Sequence, residues 1–343
     1  MAAIVFWHVA AYGANQIPPI YPKQLGVTFF FFAAAFSLAR ERRSAGRALF
    51  NRLFDVYLFG IGFALFMSAV MFASIGDLNE SNYAPFLLGA NVVFNNFPAN
   101  PTTWYIGTYI QAMLVWALIL RRIRVRPWML VATCLAEVAI RALLIEKSGL
   151  FVAYMALPNW ATVFLLGYYL GQSESEATVR MSPTPWLVGS ALVLGAWWWV
   201  SSPWVSELTF PFMTMAADHG TAGLLAESAS VSLVYVGLTW LAFQITRRLP
   251  RSAIVEFFAR NTLIVFLAHM PLYYAIVGPL DRWAGYALSR NLILPIVCFP
   301  VLAVVSELIV RLVRPRALRE WVWSRIERPA LADEAFPSTA QAS

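Results

Sequence analysis

The chain has 343 residues, 60% hydrophobic and only 13% charged, with a mean hydropathy of +0.64. Soluble globular chains are about 45–50% apolar and about 25% charged, so this composition excludes an ordinary water-soluble enzyme and makes the lipid bilayer the first partner. A net charge of +7 would point to nucleic acid in a soluble protein; here the basic residues sit in short segments between apolar runs, and no nucleic-acid partner is expected.

The apolar runs are unbroken rather than alternating, which selects helices over a closed barrel. The reading is an all-α integral membrane protein, a bundle of about ten transmembrane helices with both termini cytoplasmic. The first predicted span, 1–17, starts apolar at once and carries His8. Having no charged flank, it is not a signal peptide, and a native start upstream of Met1 is expected. The second span, 25–39, is Phe-rich and ends in an Arg-rich turn, ARERRSAGRALFNR. The third, 55–75, leads to a long segment, 76–102, without Lys or Arg and rich in Asn and Pro. Spans four to six are predicted at 103–120, 128–145 and 150–171. Span seven, 184–201, ends in Trp197, Trp198 and Trp199, which suit an interfacial aromatic belt. Spans eight to ten follow at 220–246, 261–280 and 291–313. Beyond the membrane domain at 1–315 lies a cytoplasmic tail, 316–343, whose Pro/Ala/Ser-rich end from Pro329 is expected to be disordered.

The charges sort with this count. Twenty of the 25 Lys and Arg follow even-numbered spans or the last one, and four follow odd-numbered spans. That asymmetry is a positive-inside signal and places the Arg-rich connections in the cytoplasm of a cell membrane crossed many times. No internal repeat is visible, so the repeat signature of many transporters is missing. The two cysteines, Cys134 and Cys298, lie in separate apolar runs and form no metal motif or disulfide framework.

Ionisable residues at membrane depth are functional candidates. His8 lies about nine residues, roughly 14 Å, from the outer end of its span, and His269 about eight residues, roughly 12 Å, from the inner start of span nine. Desolvation keeps such an imidazole neutral, which suits it to take a proton from a hydroxyl; a helix–helix hydrogen bond is the competing use. Glu137 and Arg141, four apart, pair on one helix face and read as structural, as do Glu307 and Arg311. Asp55 and Arg52 suggest a salt bridge at the boundary of span three. His219 reads as a solvated loop histidine. The arginines after span two could fork onto the phosphates of a cytosolic ligand, or could serve topology and anionic lipid alone.

Several separated segments, in order, resemble acyltransferase family 3. AIVFWHVAAYG is similar to that family's first helix with its key histidine, here His8. GVTFFFFAAAFSLARE resembles the second helix, TTWYIGTYIQAMLVWALIL the helix with Trp104 and Tyr105, NWATVFLLGYYLGQ a later Gly-Tyr-Tyr-Leu-Gly helix, and NTLIVFLAHMPLYY the helix with Leu267, His269 and Pro271. There are departures. The family's arginine eleven residues before the first-helix histidine would fall ahead of Met1. Its Arg-x-x-Arg is matched literally by Arg40 and Arg43, whereas an alignment at Arg52 puts Asp55 in the second place. Val313-Arg314-Pro315 stands for its Glu-Arg-Pro.

The resemblance implies an O-acyltransferase that moves an acyl group, acetyl first, from a cytosolic acyl-CoA to a hydroxyl of a glycan or lipid-linked sugar. No bound cofactor or metal is expected, acyl-CoA being a co-substrate. The implied roles are His8 and His269 in catalysis, Arg40, Arg43, Arg47 and Arg52 on the donor phosphates, and Trp104 and Tyr105 on the acceptor side. The rival readings are a permease whose histidines form a proton path and a non-catalytic scaffold.

Overall fold

A computed structural model describes residues 24–76, 83–98, 100–173, 220–247, 250, 252–285 and 293–334. The predicted spans 1–17 and 184–201, with His8, Trp197, Trp198, Trp199 and also His219, lie outside the described residues. Within them the regular structure is entirely helical. In chain order the helices are α1 (Gln24–Leu38), α2 (Ala45–Ile75), the single turn α3 (Ala84–Leu87), α4 (Trp104–Leu118), α5 (Pro127–Ser148), the short α6 (Leu150–Met155), α7 (Ala161–Ser173), α8 (Gly220–Thr246), α9 (Ala253–Ala284), α10 (Leu294–Val313) and α11 (Pro315–Glu334). Among the described residues five stretches are long and apolar enough to cross a membrane: Ala45–Ile75, Pro101–Arg122, Pro127–Ser148, Gly220–Thr246 and Ala253–Ala284; Gly26–Leu38 is a shorter apolar helix. Large apolar side chains such as Leu65, Phe72, Leu135, Leu143 and Val304 are exposed along these helices, as a lipid-facing surface requires. The chain is a multi-pass membrane protein.

Two helices begin well before their predicted spans. The third span was expected from 55, yet α2 starts at Ala45; the ninth was expected from 261, yet α9 starts at Ala253. The 31 residues of α2 extend about 46 Å, against about 30 Å of hydrocarbon. Its first turns are therefore polar, with Arg47, Asn51 and Arg52, and a hydropathy criterion passes over them. They are nonetheless helical because Ser44 caps the start, its Oγ accepting from the Arg47 N–H at 3.3 Å. The sixth span is not one helix. It runs as α6, a 3-10 turn over Leu157–Trp160 and α7. Ala156 is extended, ψ 145°, and ends α6, and Pro158 brings no N–H with which to continue the helical ladder to the Tyr154 carbonyl. Polar side chains bind the carbonyls near the break: Thr108 Oγ1 donates to Met155 O at 2.5 Å, and Asn159 Nδ2 to Tyr154 O at 3.0 Å. The tail after 315 carries α11, which extends past Pro329 to Glu334 where the sequence reads as disordered.

The tightest helix pairing is α1 against α7. A Cβ at Gly167 would sit 2.3 Å from Phe32 O, and one at Gly171 2.6 Å from Phe36 O. These glycines are four apart on one face of α7, and their lack of side chains lets the two backbones touch. On the far side α5 and α8 pack together, stapled by a buried polar cluster. Arg141 has no exposure. Its guanidinium donates to Glu137 Oε1 at 2.5 Å, Asn159 Oδ1 at 2.6 Å, Ser232 Oγ at 2.7 Å and Ser228 O at 2.7 Å. Glu137 also accepts from Ser232 Oγ at 2.6 Å and from the Thr162 N–H at 2.8 Å. The expected structural role of this pair thus extends to four elements. Glu307 and Arg311 meet at 3.1 Å, and Glu307 also takes Arg260 and Asn261 from α9, tying α10 to α9.

Candidate functional site

The α9 segment around His269 is shaped by a proline. Pro271 has no N–H, so the carbonyl of Leu267, four residues earlier, loses its helical donor. Leu267 is fully buried, and an unpaired carbonyl there would be costly. Asn100, also fully buried and just ahead of α4, donates Nδ2 to Leu267 O at 2.8 Å. Asn100 is fixed in turn, its Oδ1 accepting from the Thr102 N–H at 3.1 Å and the Thr102 hydroxyl at 2.8 Å. The segment's Leu267, His269 and Pro271 thus form one unit with a residue from the Asn-rich loop.

His269 is fully buried, with Nδ1 2.6 Å from Phe266 O. A carbonyl only accepts, so Nδ1 carries a hydrogen, and when the ring is neutral the lone pair is on Nε2. The imidazole lies between the Phe266 and Tyr273 rings, each with its centroid 5.8 Å away. Phe266 is the link to a half-open cavity of about 320 Å³ lined by α1, α2, α4 and α9. Its aromatic half is Phe30, Tyr105, Tyr109 and Phe266; its polar end is Asn51, Arg52, Asp55 and Thr262. Phe266 packs edge-on against Tyr105 at 5.2 Å, so one ring separates His269 from the cavity.

The expected arginines divide. Arg52 lines the cavity, with Nη2 2.8 Å from Ser37 Oγ and 4.0 Å from Glu41. Arg40 lies 4.2 Å over the Phe36 ring. Arg43 bonds Glu41 at 2.8 Å, outside the membrane-spanning helices; that hydrogen bond holds the Glu41 carboxyl below the usual carboxylate range. Arg47 pairs with Glu320 and lies 4.6 Å over Trp323 on α11. The structure brings Arg52, not the other three, to the cavity wall. Tyr105 lines the same cavity, and Trp104 sits behind it, 5.0 Å from Tyr154 and 6.1 Å from Trp160.

The salt bridge expected between Arg52 and Asp55 is not formed. Asp55 accepts from Arg319 Nη1 of α11 at 2.9 Å, while Arg52 extends toward Ser37 and Glu41. Sequence reasoning also passed over Asn51, Tyr109, Thr262 and Phe266 as lining residues and Asn100 as a support. The available signals were Pro271, which demands a donor for Leu267, and the polar residues in the first turns of α2.

The comparison with known families decides the class. Residues 1–310 match the acyltransferase domain of acyltransferase family 3. The chain belongs to that family. It is a membrane acyltransferase, and the resemblance read from five separated segments is the family the match returns. No curated protein and no solved structure matches the chain.

Proposed function

We propose that this acyltransferase moves an acyl group, acetyl first, from acyl-CoA to a hydroxyl of a glycan or lipid-linked sugar. The observation that carries the reading is the cavity: Arg52 at one end, aromatic rings along its length, and Phe266 against His269 at its wall. The donor's phosphates stay at the Arg-rich end, held by Arg52, with Arg40, Arg43 and Arg47 supplying the field around it. The thioester arm runs among the rings of Phe30, Tyr105 and Tyr109. The positive-inside asymmetry makes this end cytoplasmic in a cell membrane, so donor and acceptor approach from opposite faces.

In the reaction, a neutral imidazole takes the proton of the acceptor hydroxyl. The oxygen bonds the thioester carbon, the carbon–sulfur bond breaks, and the thiolate leaves to be protonated from the imidazolium. His8 is the proposed base, and His269, with its lone pair on Nε2, orients or assists. Trp104 and Tyr105 form the acceptor side, Tyr105 in the wall and Trp104 bracing it.

The test is transfer of radiolabelled acetyl from acetyl-CoA to membrane glycans by purified protein in lipid nanodiscs. His8→Ala and His269→Ala are each expected to lower kcat by about 10²-fold or more. Transfer that persists at the wild-type rate in His8→Ala would remove the proposed base, and no transfer from any acyl-CoA would remove the reading.

A further inference from the structure

We propose that Arg319, on the C-terminal helix, is a further binding residue of this cavity and grips the phosphate end of the donor opposite Arg52. The inference rests on the acyl-CoA reading above. Arg314 adopts a left-handed backbone, φ 48°, and turns the chain from α10 into α11. The sequence PRALREWVWSRIE then places Arg319, Glu320 and Trp323 within one turn of helix. They meet the first turns of α2. Glu320 pairs with Arg47, Trp323 lies 4.9 Å from the Phe50 ring, and Arg319 reaches the cavity end. Its Nη1 donates to Asp55 Oδ2 at 2.9 Å and to Asn51 O at 3.2 Å. The side chain is 17% exposed.

The second observation is what stays unsatisfied there. Asn51 Oδ1, Arg52 Nε and Asp55 Oδ1 are buried without hydrogen-bond partners, and all three residues line the cavity. Arg319 Nε, beside them, is buried and has no hydrogen-bond partner either, the Glu320 carboxylate lying 4.0 Å away. Asn51 is only 7% exposed. Buried polar atoms normally have partners, so four orphans at one cavity end mark the place of a polar ligand. The set comprises two cationic donors and two acceptors. A bare phosphate would use the donors and leave both acceptor oxygens orphaned. A phosphate followed closely by a hydroxyl and an amide N–H uses all four, and that is the order of groups along the donor arm of acyl-CoA. Arg52 and Arg319 are the two cations there, faced by Glu41, 4.0 Å from Arg52 Nη2, and by Asp55.

Asp55 holds Arg319 in place. When the donor binds, the Arg319 fork turns from Asp55 to a phosphate oxygen, and Asp55 accepts from the donor's O–H or N–H. No bond is made or broken covalently in this exchange.

The experiment compares acetyl-CoA with acetyl-pantetheine, which lacks phosphate, in wild type, Arg319→Gln, Arg319→Lys and Trp323→Leu, all in nanodiscs. Arg319→Gln is expected to raise the KM for acetyl-CoA about tenfold or more, the effect of one charge-assisted hydrogen bond, with kcat and the KM for acetyl-pantetheine unchanged. Arg319→Lys keeps the charge and loses the fork, and raises the acetyl-CoA KM by a smaller factor; it carries the test should Arg319→Gln not fold. Trp323→Leu loosens the same helix without removing charge and leaves the acetyl-CoA KM near wild type. The proposal is overturned if Arg319→Gln alters neither KM, if both donors are affected equally, or if Trp323→Leu reproduces its effect. A wild type as efficient with acetyl-pantetheine as with acetyl-CoA overturns this proposal and leaves acyl transfer standing. A wild type that uses neither overturns both.

Discussion

Asn100 and Pro271 are predicted to be energetically coupled, and a double-mutant cycle measures the coupling. Asn100→Ala strands the fully buried Leu267 carbonyl, because Pro271 offers it no N–H. An unsatisfied buried carbonyl costs about 1–3 kcal/mol. Loss of the acceptor for Thr102 N–H and Oγ1 adds to the cost. Pro271→Ala restores a helical donor to Leu267, so in that background the carbonyl no longer depends on Asn100, whereas the Thr102 loss remains and cancels in the cycle. Asn100→Ala is therefore expected to be less destabilising by about 1–3 kcal/mol when position 271 is Ala. Reversible unfolding in mixed detergent, followed by tryptophan fluorescence, supplies the four free energies. Additivity to within about 0.5 kcal/mol would refute the reasoning, since it would mean that Asn100 does not stand in for the missing N–H. The same variants bear on function. Pro271→Ala is expected to fold yet lose activity, because a new N–H at 271 bonding the Leu267 carbonyl tightens the turn that holds His269.

Gly167→Ala is expected to cost about 1–3 kcal/mol by forcing α1 away from α7, its Cβ falling 2.3 Å from Phe32 O, while Gly278→Ala, with nothing within 4 Å, is tolerated; thermal denaturation in nanodiscs distinguishes them. Arg141→Met leaves the Glu137 carboxylate buried without its counter-ion and should destabilise by about 3–5 kcal/mol, with Glu137→Gln added to it recovering part of the loss. Glu41 titrates below its ordinary value because of its hydrogen bond to Arg43. Its contribution to stability is thus fully present above the ordinary glutamate range and is lost as pH falls through the lowered native value. Glu41→Gln should flatten the acid limb of the melting temperature against pH, and an unchanged limb would remove that assignment.

The helices were legible because bilayer-crossing runs announce themselves. Spans 128–145 and 220–246 fall within a few residues of α5 and α8. The starts of α2 and α9 were not, since Arg47, Asn51 and Arg260 are polar residues on helical turns that run beyond the hydrocarbon. The break between α6 and α7 was written in Pro158 but hidden by the apolar residues on either side of it. Arg52 was legible as part of an arginine-dense turn, although density alone does not separate it from Arg40, Arg43 and Arg47, whose partners are fixed only in three dimensions. The two contacts that define the site join residues far apart in sequence: Asn100 to Leu267, separated by 167 positions, and Arg319 to Asp55, separated by 264. Periodicity and charge counting carry no information about such pairs. The Gly167 and Gly171 spacing, by contrast, is a local signal that specifies the α1–α7 contact once a membrane setting is accepted.

The central claim is that the cavity between α1, α2, α4 and α9 receives the acyl donor. A cryo-EM structure with a non-transferable thioether analogue of acetyl-CoA tests it most directly. The account predicts density with a phosphate group against Arg52 and the thioether sulfur among Tyr105, Tyr109 and Phe266. An analogue bound elsewhere on the protein, with this cavity empty, would contradict it.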